Sequence, residues 1–468
     1  CSIYNNLGQF LGNLELNETV NFNKPISLLE IISSTGLQIK TDPGIPLIYL
    51  GFFFLLVPGL IFSQKILFKG ADLHIGNGEF IENGLLGIDG DRIVLVKKAL
   101  ISSINENKWD SIIDVSGSQI YPAFVNTNNT LGLTEIDAVR ATRDFDDVGA
   151  FNPHLRAQIA FNAESKVGET VRTNGVMITQ ATPRGGIISG ASSVMSLFAW
   201  NWEDATVLAD DGIHVNWPSS TVGGGWWAEP KPKSRNKEYG AQKEELRSFF
   251  DLSKAYCESK KPKFDQRLEA MKKCFSGNQR VYIHANELQQ IHDVIDFVTE
   301  MKFPFPVLVG GYDAHLVGRK LKDANLPVML KRIHGLPQLE GEATDLPYKS
   351  ATLLSEQGVL FCLQGAGDME AMNARNLPFI AGTSMAYGLT EEQAVESISL
   401  SPCKIIGIDK EYGSLEIDKK ATFFVSRGNA LDMMTNKVTM IYFDGKSEST
   451  SNFQEELYLK YKAKYSER

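Results

Sequence analysis

One histidine of the chain ends an apolar run in a pattern that could support chemistry. His284 lies near the end of RVYIHAN, and Glu287 follows three residues later, close enough to orient the imidazole or share a ligand with it. Imidazole gains and loses a proton near neutral pH and is a common metal ligand. The pattern leaves two interpretations open: acid–base chemistry or metal binding at His284, or a histidine that is hydrogen-bonded for structural reasons only.

Two further histidines follow apolar runs of the same kind. His315 comes after PFPVLVGG, and His334 ends LPVMLKRIH. If these runs are parallel barrel strands, both side chains follow the strand ends, where such a barrel collects its active-site residues. We expect either a substitute site that includes His315 and His334 or two ordinary loop histidines.

Two glycine-rich loops could bind a ligand. Residues 218–228 carry Trp226 and Trp227 behind three glycines, which suits a lid, although both rings could instead pack on a rim. Residues 182–190 could present Arg184 and backbone amides to an anion, or form a β-turn. The chain has no GxGxxG, GK[ST] or GxSxG pattern in these places, so nucleotide binding and a serine nucleophile are not indicated.

Length and composition set the scale of the protein. The 468 residues are enough for a large barrel and a smaller domain, and 43% hydrophobic with 22% charged residues is typical of a globular chain. A net charge of -9 makes nucleic acid a poor partner. The five cysteines are scattered without a CxxC pattern, which indicates neither a zinc site nor a redox pair.

Apolar runs alternate with helical patterns through the middle of the chain, which is the rhythm of a parallel barrel. β-rich runs with turn signals precede this part, and similar runs follow it. We therefore predict an α/β protein, a (β/α)8 TIM-type barrel with a small β-sandwich formed jointly by the N- and C-terminal segments. The predicted parts are an N-terminal segment 1–63, sandwich segments 64–121 and 409–448, a barrel 122–408 with a helical insertion 229–277, and a C-terminal helix or tail 449–468.

Residues 45–62, IPLIYLGFFFLLVPGLIF, form an uncharged hydrophobic stretch. At about 1.5 Å per helical residue, such a stretch could cover the ~30 Å hydrocarbon core of a bilayer. We expect a signal or membrane tether, and hence an extracytoplasmic, periplasmic or membrane-anchored protein; a buried core helix is the alternative. Residues 26–52 resemble the last membrane segment of plastid-type c-type cytochrome biogenesis proteins.

Three motifs resemble the amidohydrolase superfamily. Residues 121–133, YPAFVNTNNTLGL, are similar to its first barrel strand, PGFID-x-H-x-H-L. GLTEEQAVESISLSPCKIIGI (388–408) and GSLEIDKKATFFV (413–425) are similar to its closing helix and its GSLE-x-GK-x-AD element. The resemblance covers about residues 65–448 and is closest to the imidazolonepropionase-like branch. It implies carbon–nitrogen bond hydrolysis by metal-activated water.

The resemblance also implies where a metal would be held. The family uses two histidines on strand one, one histidine each on strands five and six, and an aspartate that ends strand eight. Here the strand-one positions carry Asn128 and Thr130, which bind transition metals far more weakly than imidazole, and glycines replace the strand-six ligand. His284 has the place of the strand-five ligand, and Asp368 lies two residues beyond the expected aspartate. One divalent ion such as zinc, held by His284, is the most that this pattern implies.

Two functions are consistent with the pattern. The first is hydrolysis of a C–N bond in a cyclic or linear amide, with Asp368 taking a proton from water and Glu287 or His315 assisting His284. The second is a catalytically inactive barrel that binds a small molecule or a partner. The residues expected to contact the substrate or ligand are Asn128, Thr130, Arg184, Trp226, Trp227, His315 and His334. The sequence leaves the substrate and the oligomeric state open.

Overall fold

A computed structural model describes most of the chain, as two compact units, Cys1–Phe62 and Ser63–Arg468. The described residues are 2–4, 10–13, 19–22, 24–27, 64–99, 105–223, 225–226, 229–230, 234–339 and 341–466. In the first unit, two short antiparallel pairs form, Ser2–Tyr4 with Phe10–Asn13 and Thr19–Phe22 with Lys24–Ser27. The predicted tether at 45–62 lies outside the described residues. No helix within the described ranges is long and apolar enough to cross a membrane.

Strands from both ends of the second unit share one eight-stranded sheet. The junction is the antiparallel pairing of Phe423–Ser426 with Gln119–Pro122. Phe68 packs edge-on against Phe423 and Tyr442 beneath this sheet, with ring centroids 5.1 and 5.0 Å apart. The remaining strands are Lys65–His74, Phe80–Asp89, Arg92–Lys98, Ser111–Asp114, Val438–Phe443 and Lys446–Glu448.

The middle of the chain forms a nearly closed eight-stranded barrel. Its strands are numbered in chain order: β1 Phe124–Asn129, β2 Val176–Ala181, β3 Ile188–Ser196, β4 Thr206–Asn216, β5 Arg280–Ala285, β6 Pro306–Gly310, β7 Val328–Leu330 and β8 Phe361–Leu363. The predicted TIM-type barrel with a β-rich domain built by both ends is confirmed.

One strand departs from the parallel pattern. β3 pairs antiparallel with both β2 and β4, whereas β4 to β8 are mutually parallel. β3 therefore returns directly from β2 through the loop at 182–187, without a crossover helix. The loop predicted to be a β-turn or an anion site is this hairpin connection, and it places Arg184 at the carboxyl ends of the strands.

β1 and β8, the two ends of the barrel sheet, are joined by an intervening segment. Val125 N donates to Ile398 O at 2.8 Å, and Leu363 N donates to Ser397 O at 3.0 Å. The backbone at 397–398 thus fills the seam between the first and last strands. Thr127 Oγ1 and Cys362 Sγ also meet across it at 3.5 Å.

Helices cover the outside of the barrel. The stretch predicted as a helical insertion contains Tyr239–Glu258 and Gln266–Ser276 between β4 and β5, and Phe250 of the first helix packs on Phe297 and Phe303. Helix Leu288–Met301 begins with a capping box between Glu287 and Gln290. The other α-helices are Ala157–Ala160, Lys166–Arg172, Trp202–Ala205, Gly318–Asp323, Leu346–Glu356, Glu370–Asn373, Leu377–Ala386, Glu391–Glu396, Leu400–Ile406 and Phe453–Ser466.

Candidate functional site

Two histidines meet at the carboxyl ends of β4 and β5. His214 Nδ1 lies 2.9 Å from His284 Nε2. His214 is completely buried, whereas His284 is partly exposed. Because side chains alternate along a strand, Tyr282 lies on the same face as His284, and its ring stacks on His214 with centroids 4.6 Å apart. His214 is therefore the buried, fixed member of the pair, and His284 is the accessible member.

A buried carboxylate lies next to this pair. Asp211 is 2% exposed and accepts hydrogen bonds from Tyr282 Oη at 2.6 Å, Ser192 Oγ at 2.8 Å and Gln180 Nε2 at 2.8 Å. Three donors compensate much of the cost of burying a polar group. The backbone bulges just before it, at Asp210 with φ +50°, where the pairing register of β3 and β4 shifts.

An arginine ties two sides of the barrel mouth together. Arg184 donates from Nη1 to Asn128 Oδ1 and from Nη2 to Asn128 O, each at 2.9 Å. Its Nη2 and Nε also donate to Glu370 Oε1 at 2.8 and 3.1 Å. Glu370 Oε2 in turn accepts from Gly367 N at 3.0 Å. The anion that Arg184 contacts is thus a carboxylate of the chain itself.

Burial and Arg184 favour the neutral form of both imidazoles. Although His284 is partly exposed, the surrounding barrel removes water from most of its ring, and this desolvation, with a smaller effect of the Arg184 charge, lowers its pKa to about 3. Burial, His284 and Arg184 hold the pKa of His214 well below its usual range. The pKa of Asp211 is raised by burial, against the three hydrogen bonds that favour its charged form. Burial and the neighbouring Asp211 raise the pKa of Tyr282.

These residues do not fit a divalent transition metal. Asn128 Oδ1, at the strand-one ligand position, accepts from a guanidinium, and His284 Nε2 is engaged by His214. The guanidinium of Arg184 already lies between Asn128 and Glu370, where a cation would have to be placed. Within the described part of the chain, no group of three or more His, Cys, Asp or Glu side chains is arranged to hold a metal ion.

The acidic residue that reaches the site from the loop after β8 is Glu370 rather than Asp368. Asp368 is exposed, and its carbonyl oxygen accepts from Arg332 Nη1 at 3.3 Å and from Asn373 Nδ2 at 3.0 Å. Met369, between the two acids, has φ +53° and turns the chain so that Glu370 lies inward at 8% exposure. A role of Asp368 as general base is not supported by this placement.

Glu287 and Thr130 have structural contacts. Glu287 Oε1 accepts from Thr221 Oγ1 at 2.7 Å, its other oxygen contacts Ser220 Oγ, and the residue caps a helix. Thr130 is buried in the turn after β1, where its carbonyl accepts from Leu133 N at 2.9 Å. Of the two strand-one positions, Asn128 contacts Arg184, whereas the described contacts of Thr130 do not include Arg184.

The other predicted ligand contacts are spread over the rim. His315 Nδ1 lies 3.3 Å from Tyr312 O, and His334 Nε2 lies 2.7 Å from Thr383 Oγ1. In the described contacts, neither of these histidines touches His284. The Trp226 side chain and the whole of Trp227 lie outside the described residues, so the predicted lid stays a prediction.

Two cavities in the described part of the chain lie away from the histidine pair. One of about 1090 Å³ is on the flank of the barrel, lined by residues that include Arg172, Phe198, Trp200, Phe443 and Glu448. Another of about 480 Å³ includes Arg280, at the start of β5, in its lining. By volume, the flank cavity would be the first candidate for a binding site. The hydrogen-bonded histidines and the buried carboxylate make the barrel mouth the stronger candidate, because perturbed titratable groups concentrate at functional sites.

Comparison with solved structures supports the assignment of the architecture. Over 82% of its length the chain is similar to an amidohydrolase from Thermotoga maritima, with 21% identity, a TM-score of 0.69 and 99% of that chain covered. The barrel has the amidohydrolase fold. A phenylurea hydrolase B has a TM-score of 0.51 at 11% identity, with 83% of this chain and 97% of that chain covered. The predicted resemblance is confirmed for the fold, and the imidazolonepropionase-like branch stays a prediction. No family model matches the chain.

A short segment has different relatives. It is 70% identical over 81 residues to the cytochrome c biogenesis protein Ccs1 of Phaeodactylum tricornutum, covering 16% of this chain and 19% of that protein. The Ccs1 of Thalassiosira pseudonana is 64% identical over 61 residues, covering 13% of this chain and 14% of that protein. The resemblance predicted at 26–52 is confirmed. The chain spans a fifth or less of the length of these relatives.

The sequence indicated His284, Arg184 and Asn128, but His214, Asp211 and Glu370 were missed. His214 lies in GIHVNWP, two residues before its strand ends, and His284 lies in RVYIHAN, one residue before its strand ends. That similarity between the runs was the available signal. Asp211 was also recognisable as a charged residue inside an apolar strand, because charges are rarely buried without partners.

Proposed function

We propose that the barrel mouth binds a small polar molecule with an amide or ureide group, and that it does so without metal-dependent hydrolysis. The observation that supports this best is the contact between Arg184 and Asn128. The Arg184 guanidinium donates to both oxygen atoms of Asn128, the residue at the position where the resemblance would place a metal ligand. The guanidinium carries charge and can donate hydrogen bonds to water, but it cannot act as the Lewis acid that lowers the pKa of a metal-bound water.

The strength of the available base favours binding over turnover. A metal lowers the pKa of its bound water from about 15.7 to about 7. A neutral imidazole is a far weaker base than hydroxide, and desolvation lowers the pKa of His284 below its ordinary value. General-base assistance typically contributes ~10²–10⁴-fold, which is small beside the acceleration needed for an ordinary amide.

The charges at the mouth favour an uncharged ligand. Glu370 compensates the charge of Arg184, with the two groups 2.8 Å apart. The low pKa of His284 leaves a neutral imidazole near pH 7. A neutral imidazole presents one donor and one acceptor nitrogen, which matches an amide that both donates and accepts.

A thermal-shift panel of hydantoins, cyclic imides and dipeptides tests this proposal. At least one compound should raise the Tm of the wild-type chain in a saturable way, because a ligand stabilises the state that it binds. The shift should disappear in His284→Ala and persist in Asp368→Asn, whose side chain is exposed. If no compound shifts Tm, or if His284→Ala responds like wild type, the proposal is wrong.

Hydrolysis of a C–N bond is the second candidate function. The supporting observation is that His284 is partly exposed and that its Nδ1 has no hydrogen-bond partner among the described residues. It could accept a proton from water attacking an activated cyclic amide. Mass spectrometry of the same panel distinguishes the two functions, since a ring-opened product that requires His284 would establish a hydrolase.

We also infer that residues 45–62 attach the chain to a membrane, which would give an extracytoplasmic or membrane-anchored protein. Support comes from the absence of charge in this stretch and from the Ccs1-like segment. Expression of the full chain and of a variant lacking 45–62, followed by membrane fractionation, tests this. Equal recovery of both in the soluble fraction would contradict it.

A further inference from the structure

We propose that the guanidinium of Arg184 is a built-in cation of the barrel mouth. It joins β1 to the loop after β8, the two elements that the resemblance assigns to a metal ion. The guanidinium is held by Asn128 Oδ1 and Asn128 O from β1 and by Glu370 Oε1 from the loop after β8. Three oxygen atoms from opposite sides of the seam therefore converge on one positive group. The role is independent of whether the mouth binds an amide.

Asn128 and Glu370 are each held by hydrogen bonds that do not involve the guanidinium. Asn128 has φ +50°, a left-handed conformation that asparagine tolerates better than most residues, and its amide donates to Gln180 Oε1 at 2.9 Å. Asn129 Nδ2 donates to Glu370 O at 3.0 Å, and Asn129 Oδ1 accepts from Leu131 N at 2.8 Å. Because of these separate contacts, we expect the oxygen atoms to stay near one another when the guanidinium is removed.

The location explains why a cation is needed. β1 and β8 do not form a strand pair in the described barrel sheet, and the backbone at 397–398 bridges them below the mouth. At the mouth itself, the described side-chain link between the two elements is made by Arg184, with help from Asn129. The planar guanidinium suits this position because its fork reaches several oxygens at once.

The geometry differs from that of an ordinary surface ion pair. The side chains of Arg184 and Glu370 are 23% and 10% exposed, and each of the three guanidinium nitrogens donates to Asn128 or Glu370. Arg156 and Asp210 form a pair at 2.8 Å, but the arginine is 41% exposed, and the pair joins the start of helix Ala157–Ala160 to β4 rather than β1 to the β8 loop. Arg156 therefore provides a matched control.

Chemical rescue tests the proposal. Arg184→Ala should lower Tm by about 5 °C, the order expected for breaking a buried pair in a large domain. Guanidinium or methylguanidinium at millimolar concentration, far below the molar range that denatures, should restore most of this loss. Urea and K⁺ should not restore it. Rescue should vanish in Arg184→Ala/Glu370→Gln, and Arg156→Ala should show none.

Two results would overturn the proposal. One is an Arg184→Ala variant with the wild-type Tm, and the other is a folded, destabilised Arg184→Ala variant that guanidinium does not rescue. If Arg184→Ala does not fold, Arg184→Gln and Glu370→Gln are combined in a double-mutant cycle. Coupled losses of Tm are expected, and additive losses would contradict a shared cation site.

Discussion

His214 Nδ1 and His284 Nε2 lie 2.9 Å apart and join the carboxyl ends of β4 and β5 through a hydrogen bond between two imidazoles. Only one proton can lie between these two nitrogens. If His214 carries it on Nδ1, His284 accepts at Nε2 and carries its own proton on Nδ1; if His284 carries it on Nε2, its Nδ1 is an acceptor. Tyr282 supports the buried ring from one side, and Arg184 opposes a positive charge on either ring.

The histidine pair should make folding stability depend on acidity. Both pKa values are lower in the folded chain than the usual 6.5, so the folded state takes up these protons less readily. The stabilisation is complete above about pH 6.5 and is lost as pH falls toward about 3. We expect a slope of up to ~1.4 kcal/mol per pH unit for each histidine.

Denaturant unfolding between pH 4 and 7.5, roughly the window in which the unfolded histidines titrate, measures this slope. His284→Gln should reduce it, whereas Asn216→Ala, which retains both histidines, should leave it unchanged. A His284→Gln variant with the full wild-type slope would show that the ring titrates normally in the folded chain.

The Tyr282–Asp211 hydrogen bond should contribute more to the free energy of unfolding than a similar bond at the surface. Tyr282→Phe removes a 2.6 Å donor from a buried carboxylate, and we expect a loss of about 2 kcal/mol in the free energy of unfolding. Tyr256→Phe is the control, because its hydroxyl donates at 2.9 Å to Glu269, which is 43% exposed. A loss below ~1 kcal/mol is expected there. Equal losses for the two variants would argue against a special cost at Asp211.

Gly212 should be sensitive to the addition of a single methyl group. A Cβ atom at this position would lie 2.2 Å from Tyr282 Cε2 and 2.6 Å from Tyr282 Cδ2. The ring is held by Asp211 and stacked on His214, so it cannot move without breaking both contacts. Gly212→Ala should cost roughly 1–3 kcal/mol of stability and broaden the NMR signals of the histidine pair.

Gly240→Ala is the matched control for this substitution. Gly240 is exposed in helix Tyr239–Glu258, and a Cβ atom there meets no atom within 4 Å. It should raise stability by up to ~1 kcal/mol, because alanine favours a helix. A Gly212→Ala variant as stable as wild type would mean that the Tyr282 ring has an alternative position.

The barrel was predictable from the sequence because most of its strands are apolar runs followed by helical patterns. β3 was missed because ISGASSVMS consists largely of small and polar residues and begins just after a glycine-rich loop. All nine of its residues are buried, and Ser192 contacts Asp211. Its composition is explained by this polar contact inside the barrel, which hydrophobic patterning does not reveal.

The candidate site was less predictable than the fold. The expected position of His284 was set by its strand, but the inward turn of Glu370 depends on the left-handed Met369. The motif position therefore indicated Asp368, which lies two residues before Glu370, the acid that reaches the site. The pairing of Arg184 with β1 and the β8 loop is a long-range contact, to residues 56 and 186 positions away in the chain. Local sequence patterns carry no signal for such a contact.

Removal of metal ions should leave the protein unchanged. The mouth is held by Arg184, which a chelator cannot extract, and the described donor atoms do not form a transition-metal site. After exhaustive treatment with a strong chelator, we expect the Tm and any ligand-induced Tm shift to equal those of the untreated protein, and added Zn²⁺ to raise neither. A lower Tm after chelation that Zn²⁺ restores would show that a metal stabilises this barrel. If His284→Ala also abolished that restoration, the metal would be held at the mouth, and the arrangement around Arg184 would then be one of two states of the site.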